Sequence, residues 1–169
     1  MEVRRADGSV DRQTVSVSPQ AAMILRENLA RQSAPVLLHA TDLRPVTADD
    51  PVRRGETIIL HALGMGEMQP SMTAGTPAPT PAPQLPNPPC VVFSERPNSV
   101  PLSSSVALRA GAAPGQIGLY ELSIEVPASL KPGSYTLSLN SHSLSNPYDR
   151  ACLTGYQGNI LDFVTVEVR

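Results

Sequence analysis

Tyr120, Leu122, Ile124 and Val126 are apolar, and Glu121, Ser123 and Glu125 between them are polar. The same period of two returns at Tyr135, Leu137 and Leu139 and at Val164, Val166 and Val168. Successive side chains of a strand point to opposite faces, so each stretch offers one face to a core and one to water. Antiparallel sheet permits that division, whereas a parallel sheet covered on both sides reads as a continuous apolar run. The second half of the chain is therefore expected to be antiparallel and half-wet.

Further strands are expected at 34–40 ("APVLLHA"), 57–63 after a turn at Arg54-Gly55, 90–94 ("CVVFS") and 105–111 ("SVALRAG"). Proline and glycine, 18 and 11 of 169 residues, break the chain about every ten positions, and no helical segment falls between the later strands. The packing this predicts is all-β, an immunoglobulin-like antiparallel β-sandwich. In "LKPGSY", Pro132 and Gly133 make a tight corner and Tyr135 stands at a strand start, where a phenol can bond back to the corner backbone.

The N-terminal region reads differently. "ADGS" at 6–9 is a turn signal between Val3 and Val10, and "QTVSV" at 13–17 alternates until Pro19 stops it. In "SPQAAMILRENLARQ", 18–32, Ser18 can cap, Pro19 suits a first helical position, and Ala22, Leu25 and Leu29 recur at three and four. This stretch is either one short helix or an ordered connector. Residues 1–34 are thus an N-terminal β-rich extension and connector, the end of a preceding repeat or a donor strand, and residues 35–169 are the sandwich.

Between two expected strands lies "TPAPTPAPQLPNPP", 76–89, which with Pro70 holds eight of the prolines. It can be a hinge, a docking peptide or a loop within one unit. "PQLP" and "PNPP" lack a flanking basic residue, which weakens the docking reading. The order of Gly55 and Glu56, then Gly64 and Gly66, then Gly75, Pro77, Ala78 and Pro79, then Gly118, Tyr120, Val126 and Pro127, then Pro132, Gly133 and Tyr135 resembles an uncharacterised C-terminal domain family. That family occurs in large secreted and surface proteins of Solibacter and other acidobacteria. The resemblance covers roughly 35–140. It implies an Ig-like sandwich, an extracellular or cell-surface location and no catalytic residues to carry over. Arg54 stands where the family usually has proline. The segment 142–159 lengthens a hairpin that is normally short. On this reading the prolines form a loop, 67–89, inside one domain, where polyproline II needs no ladder partner.

Charged residues are 17% of the chain and the formal net charge is -2, which leaves no electrostatic footprint for nucleic acid or anionic lipid. No apolar run reaches the length of a membrane span. "MEVRRADGSV" lacks the apolar region of a signal peptide, so the chain is cytosolic or its export signal lies elsewhere. Cys90 and Cys152 can form a disulfide tying the 142–159 loop to the sandwich, worth about 4 kcal/mol in the chain-entropy model, or remain two thiols. His39, His61 and His142 lack zinc-ligand spacing. Asp42, Asp49, Asp50 and Glu56 form the densest acidic group. Without an alternating D-x-D loop they read as solvated turn residues rather than calcium ligands. No nucleophile elbow or phosphate-cradling loop is present, so no cofactor, metal or enzymatic activity is expected.

Two functions follow. The first is a non-catalytic structural or interaction module whose partners are copies of itself or neighbouring Ig-like domains. In its sharper form, residues Val10, Thr14, Val15 and Val17 add a strand to a neighbouring subunit and build a filament. The alternative is an adhesion or ligand-binding module for a glycan or protein, using loops 67–89 and 142–159 with Tyr148 and Tyr156 as contact residues.

Overall fold

The computed structural model describes residues 2–4, 6–12, 14, 21–28, 33–96, 102–140 and 160–169. Among these, the chain forms β1 (Glu2–Arg4), β2 (Val10–Arg12), β3 (Met23–Ile24), β4 (Leu37–His39), β5 (Thr57–Leu63), β6 (Cys90–Ser94), β7 (Ser103–Val106), β8 (Arg109–Ala112), β9 (Tyr120–Glu125), β10 (Gly133–Asn140) and β11 (Ile160–Val168). No helix occurs among the described residues, and so none is long and apolar enough to cross a membrane.

The strands form an isolated hairpin and two larger antiparallel sheets. One sheet runs β11-β10-β6-β7. The other runs β3-β5-β9-β8, with β4 also pairing β5. Ile58 and Leu60 of β5 and Leu122 and Ile124 of β9 pack into one cluster with Val91 and Phe93 of β6, Leu137 and Leu139 of β10 and Val164 and Val166 of β11. Two antiparallel sheets sharing one core are consistent with a β-sandwich. Each fully buried Leu, Ile or Phe there contributes about 2 kcal/mol over its exposed state.

The alternation reads directly into β9 and β11. Tyr120, Leu122, Ile124 and Val126 are buried and Glu125 is exposed, while Val164, Val166 and Val168 are buried and Thr165 and Glu167 exposed. β10 departs from it: Thr136, Ser138 and Asn140 are as buried as Tyr135, Leu137 and Leu139. The register sets Thr136 beside Ser94, Ser138 beside Val92 and Asn140 beside Cys90, all buried, so the outward face of β6 and β10 is not a wet face.

Two other expectations need correction. Residues 21–28, the described part of the 18–32 stretch, are extended rather than helical. Ala21 and Leu25 donate their N–H groups to Gly64 and His61 of the β5 region at 2.9 and 2.8 Å. Ala22 and Ile24 are buried and Met23 exposed, a period of two that the spacing of Ala22 and Leu25 disguises. The run 105–111 is not one strand either. It ends β7 in one sheet and begins β8 in the other, with Ala107 and Leu108 crossing between them.

At the N-terminus, β1 and β2 pair Glu2 with Arg12 and Arg4 with Val10 around a turn in which Asp7 Oδ1 accepts both the N–H and the hydroxyl of Ser9. Thr14 is exposed and outside any strand, and the other residues of the 13–17 run lie outside the described residues.

The proline tract leaves β5, follows β8 and enters β6. Leu85 N–H donates to Ala110 O at 2.8 Å, Ala112 N–H donates to Pro83 O at 2.9 Å, and Gln69 and Gln84 exchange backbone bonds of 2.8 and 2.9 Å. Ala78 and Ala82 pack with Ala112, Met68 and Met72 into a second small apolar cluster. Residues 83–85 thereby cover the edge of β8, as residues 44–46 cover the edge of β4 through His39 N–H to Arg44 O and Val46 N–H to Leu37 O, both 2.9 Å. Covered edges present no free ladder to another chain.

Gly111 of β8 is what lets the tract approach: a Cβ there would meet Pro83 O at 2.3 Å and Gln84 Nε2 at 2.7 Å. Gly111→Ala is expected to cost roughly 1–3 kcal/mol in urea unfolding and to strip hydrogen-exchange protection from the Leu85 and Ala112 amides before the rest of the sheet. Unchanged stability and protection would contradict this docking of the tract.

Candidate functional site

The densest polar arrangement among the described residues lies where the chain end meets the base of the sheets. Val52, fully buried, pairs in parallel with Val168 at the end of β11. Its N–H donates to Glu167 O at 3.0 Å, Arg169 N–H returns to Val52 O at 2.9 Å, and Arg54 N–H donates to Arg169 O at 3.2 Å. This clasp places the charged residues flanking Val52 against those after β11.

Asp50 is the hub. Its Oδ1 lies 2.9 Å from Arg53 Nη2 and 3.5 Å from Arg169 Nη2, and its Oδ2 lies 3.1 Å from Arg44 Nη1. Asp42 takes the Arg44 Nε at 2.6 Å and the Arg44 N–H at 3.1 Å. These hydrogen bonds, the side-chain one first, hold the Asp42 carboxyl below its ordinary range. Glu56 Oε1 accepts the Arg53 N–H at 2.7 Å, and both Glu56 oxygens lie 3.2 Å from His39 Nδ1.

The acids grouped in the sequence are thus matched by arginine and histidine, apart from Asp49, which is exposed. Among the described residues no group of three or more His, Cys, Asp or Glu is placed to hold a metal ion. Arg53, Arg54 and Arg169 with Ala128 line a shallow cavity of about 490 Å³ beside the clasp. Exposed ion pairs of this kind contribute about 0–1 kcal/mol each, so the cluster matters for positioning more than for stability.

A second polar device joins the N-terminal region to β11. Arg26 reaches across to Asp162 with Nη1 to Oδ2 at 2.7 Å and Nη2 to Oδ1 at 2.9 Å. Asp162 also accepts the N–H of Ile24 at 2.8 Å and of Phe163 at 2.9 Å, and Arg26 Nη2 donates to Phe163 O at 2.9 Å. Two-point guanidinium–carboxylate geometry is the stronger class of charged hydrogen bond. Sequence reading did not single out either residue, because 136 positions separate them.

Of the residues that the sequence did single out, Tyr135 is buried and its hydroxyl donates to Lys131 O at 2.8 Å, across Pro132 and Gly133. Cys90 is buried at the start of β6. Val10 is 46% exposed on the hairpin. Val15, Val17, Tyr148, Cys152 and Tyr156, with His142 and the whole 142–159 loop, lie outside the described residues. His39 is buried within the charged cluster, and His61 on β5 lies 3.9 Å from Glu121 across the strand pair. The structure therefore brings His39 together with Asp42, Asp50 and Glu56, and keeps His61 and Cys90 apart from them. Gly64 lets the backbone of Ala21 come close to the end of β5. A Cβ on Gly64 would lie 2.5 Å from Ala21 O, and Tyr120 donates its hydroxyl to Gly66 O. Burial pushes the Tyr120 hydroxyl pKa up, which keeps it the donor.

No family model, curated protein or solved structure matches the chain.

The clamp at Asp162 has a pH signature. Burial pushes this carboxyl up, but the Arg26 hydrogen bond and the N–H groups of Ile24 and Phe163 outweigh it, and the net direction is down. A lowered carboxyl contributes stability that is present above the unfolded value of about 3.9 and is lost as pH falls through the folded value. Asp162→Asn is expected to lower stability at neutral pH by roughly 1–3 kcal/mol, with the two denaturation curves converging in acid. A constant gap at all pH values would remove the ionic reading of the clamp.

Proposed function

We propose that the chain is a non-catalytic, immunoglobulin-like structural and interaction module that works by packing against other domains of the same kind. The observation that carries this is the strand order. With β4 taken as the first strand, the sheets run first-second-sixth-fifth and eighth-seventh-third-fourth. With the two-residue β3, which also pairs β5, set aside, this order supports an ABED and GFC reading with one added strand beside C. The tyrosine hydroxyl bonded back to Lys131 opens the seventh strand, where a tyrosine corner belongs.

The resemblance to acidobacterial secreted and surface proteins supports placing this module outside the cell. In an oxidising compartment outside the cell Cys90 could pair with Cys152, which would tie the 142–159 loop to a buried position on β6. Self-assembly is the sharper part of the proposal. β1 and β2 form a two-stranded ladder of their own, and two strands alone are marginal in water. Strand addition to a neighbour by residues 10–17 would enlarge that ladder and produce an open, head-to-tail chain of subunits. Ligand capture is less favoured as the main role, because the 67–89 loop is committed to β8 by residues 83–85.

Removing residues 1–17 is expected to abolish concentration-dependent assembly in light scattering and leave the sandwich folded. If assembly is unchanged, strand donation is wrong. Unfolded, unreduced protein is expected to show no thiol reactive to a colorimetric reagent, and two reactive thiols would dismiss the cysteine pairing.

A further inference from the structure

His39 is the last residue of β4, and its ring is shielded from solvent, with the side chain 1% exposed. Both ring nitrogens face acceptors. Nδ1 lies 3.2 Å from each oxygen of Glu56, and Nε2 lies 3.3 Å from the backbone carbonyl of Asp50. A carbonyl only accepts, and so does an ionised carboxylate. A neutral imidazole has one N–H and one lone pair, so either tautomer would press a lone pair against an oxygen. In a buried site that costs a hydrogen bond and leaves the acceptor uncompensated. The imidazolium donates at both nitrogens and satisfies both partners.

The remaining way to balance the donors is a protonated Glu56, and its surroundings oppose that. Glu56 Oε1 accepts the Arg53 N–H at 2.7 Å, and Oε2 lies 3.8 Å from Arg53 Nη1. Both contacts suit the anion. We infer that His39 is held as an imidazolium that latches β4 to the 47–56 connector, so that closure of the Val52 and Val168 clasp depends on a proton.

The charged groups around the ring are consistent with this. From the connector come Glu56 and Asp50, whose Oδ2 is 3.6 Å from Nε2. From the turn after β4 come Asp42 and Arg44, which pair with each other. Arg53 and, from the end of β11, Arg169 are drawn to Asp50 rather than to the ring. The next residue on β5, Thr57, does not titrate. Losing the proton would remove one of the two ring bonds and set lone pairs together at the turn that carries Val52. The same segment holds β11 through Glu167 and Arg169, so the loosening would be felt between strands distant in sequence.

The direct test is nitrogen NMR of the imidazole rings in the full chain, with a His61→Gln, His142→Gln variant isolating the His39 signal. At neutral pH two protonated ring nitrogens are expected, and one unprotonated nitrogen would overturn the inference. A second measurement compares urea stability of the wild type and His39→Gln at neutral pH, where the variant is expected to be less stable. Equal stability would overturn the latch. Should His39→Gln fail to fold, the wild-type NMR result decides alone.

Discussion

Each large sheet has an apolar face that water cannot be allowed to keep, and among the described residues the apolar face of the other sheet covers it. Leu60 and Leu122 on one side and Phe93, Leu137 and Leu139 on the other are almost wholly withdrawn from solvent. Removing that contact would expose both layers together, since neither has a helix among the described residues to cover it. The order of strands, the crossing at Ala107 and Leu108 and the path of the proline tract all serve to bring these faces into register.

Polar devices then fasten the parts that the core does not reach. Arg26 and Asp162 tie the extended N-terminal region to the start of β11, and the clasp at Val52 ties the connector to its end. Both fix the last strand by its two ends, one through a part-buried charge pair and one through main-chain bonds. The charges gathered around Asp50 complete the second tie. They are arranged so that three arginines share one carboxylate while the imidazole is enclosed. Side chains that are individually weak at the surface gain definition from sharing a hub.

The parts of this architecture that were legible in the sequence are those set by local periodicity. β9 and β11 follow from their alternation alone, and the turn at Gly55 and the corner before Tyr135 follow from residue types with restricted backbones. Where two periods fit the same residues, the reading stayed open between helix and connector: Ala22, Ile24 and Leu25 suit a helix or a strand, and β5 decided between them by offering backbone partners. The split of 105–111 depends on which sheet each half joins, and local sequence carries no signal of that. The charge pairs were invisible for the same reason. Arg26 and Asp162 meet only after every strand between them is placed, and His39 looked like part of an apolar run because its partners arrive from 11 and 17 residues away. The burial of Thr136, Ser138 and Asn140 on the outward face departs from the wet face seen on β9 and β11, since alternation describes chemistry and says nothing about what lies over the polar side.

The tract running beside β8 behaves as a terminator of the sheet. A strand in that position would normally display amide donors to whatever came next, and here Pro81, Pro83 and Pro86 have none to display. Of the two amides between the last of these prolines, Leu85 spends its own on β8 and Gln84 spends its own on Gln69. Lengthening a loop is thermodynamically cheap, about 0.6 kcal/mol per doubling. For that modest entropy the molecule acquires a flank beside β8 that accidental pairing cannot extend.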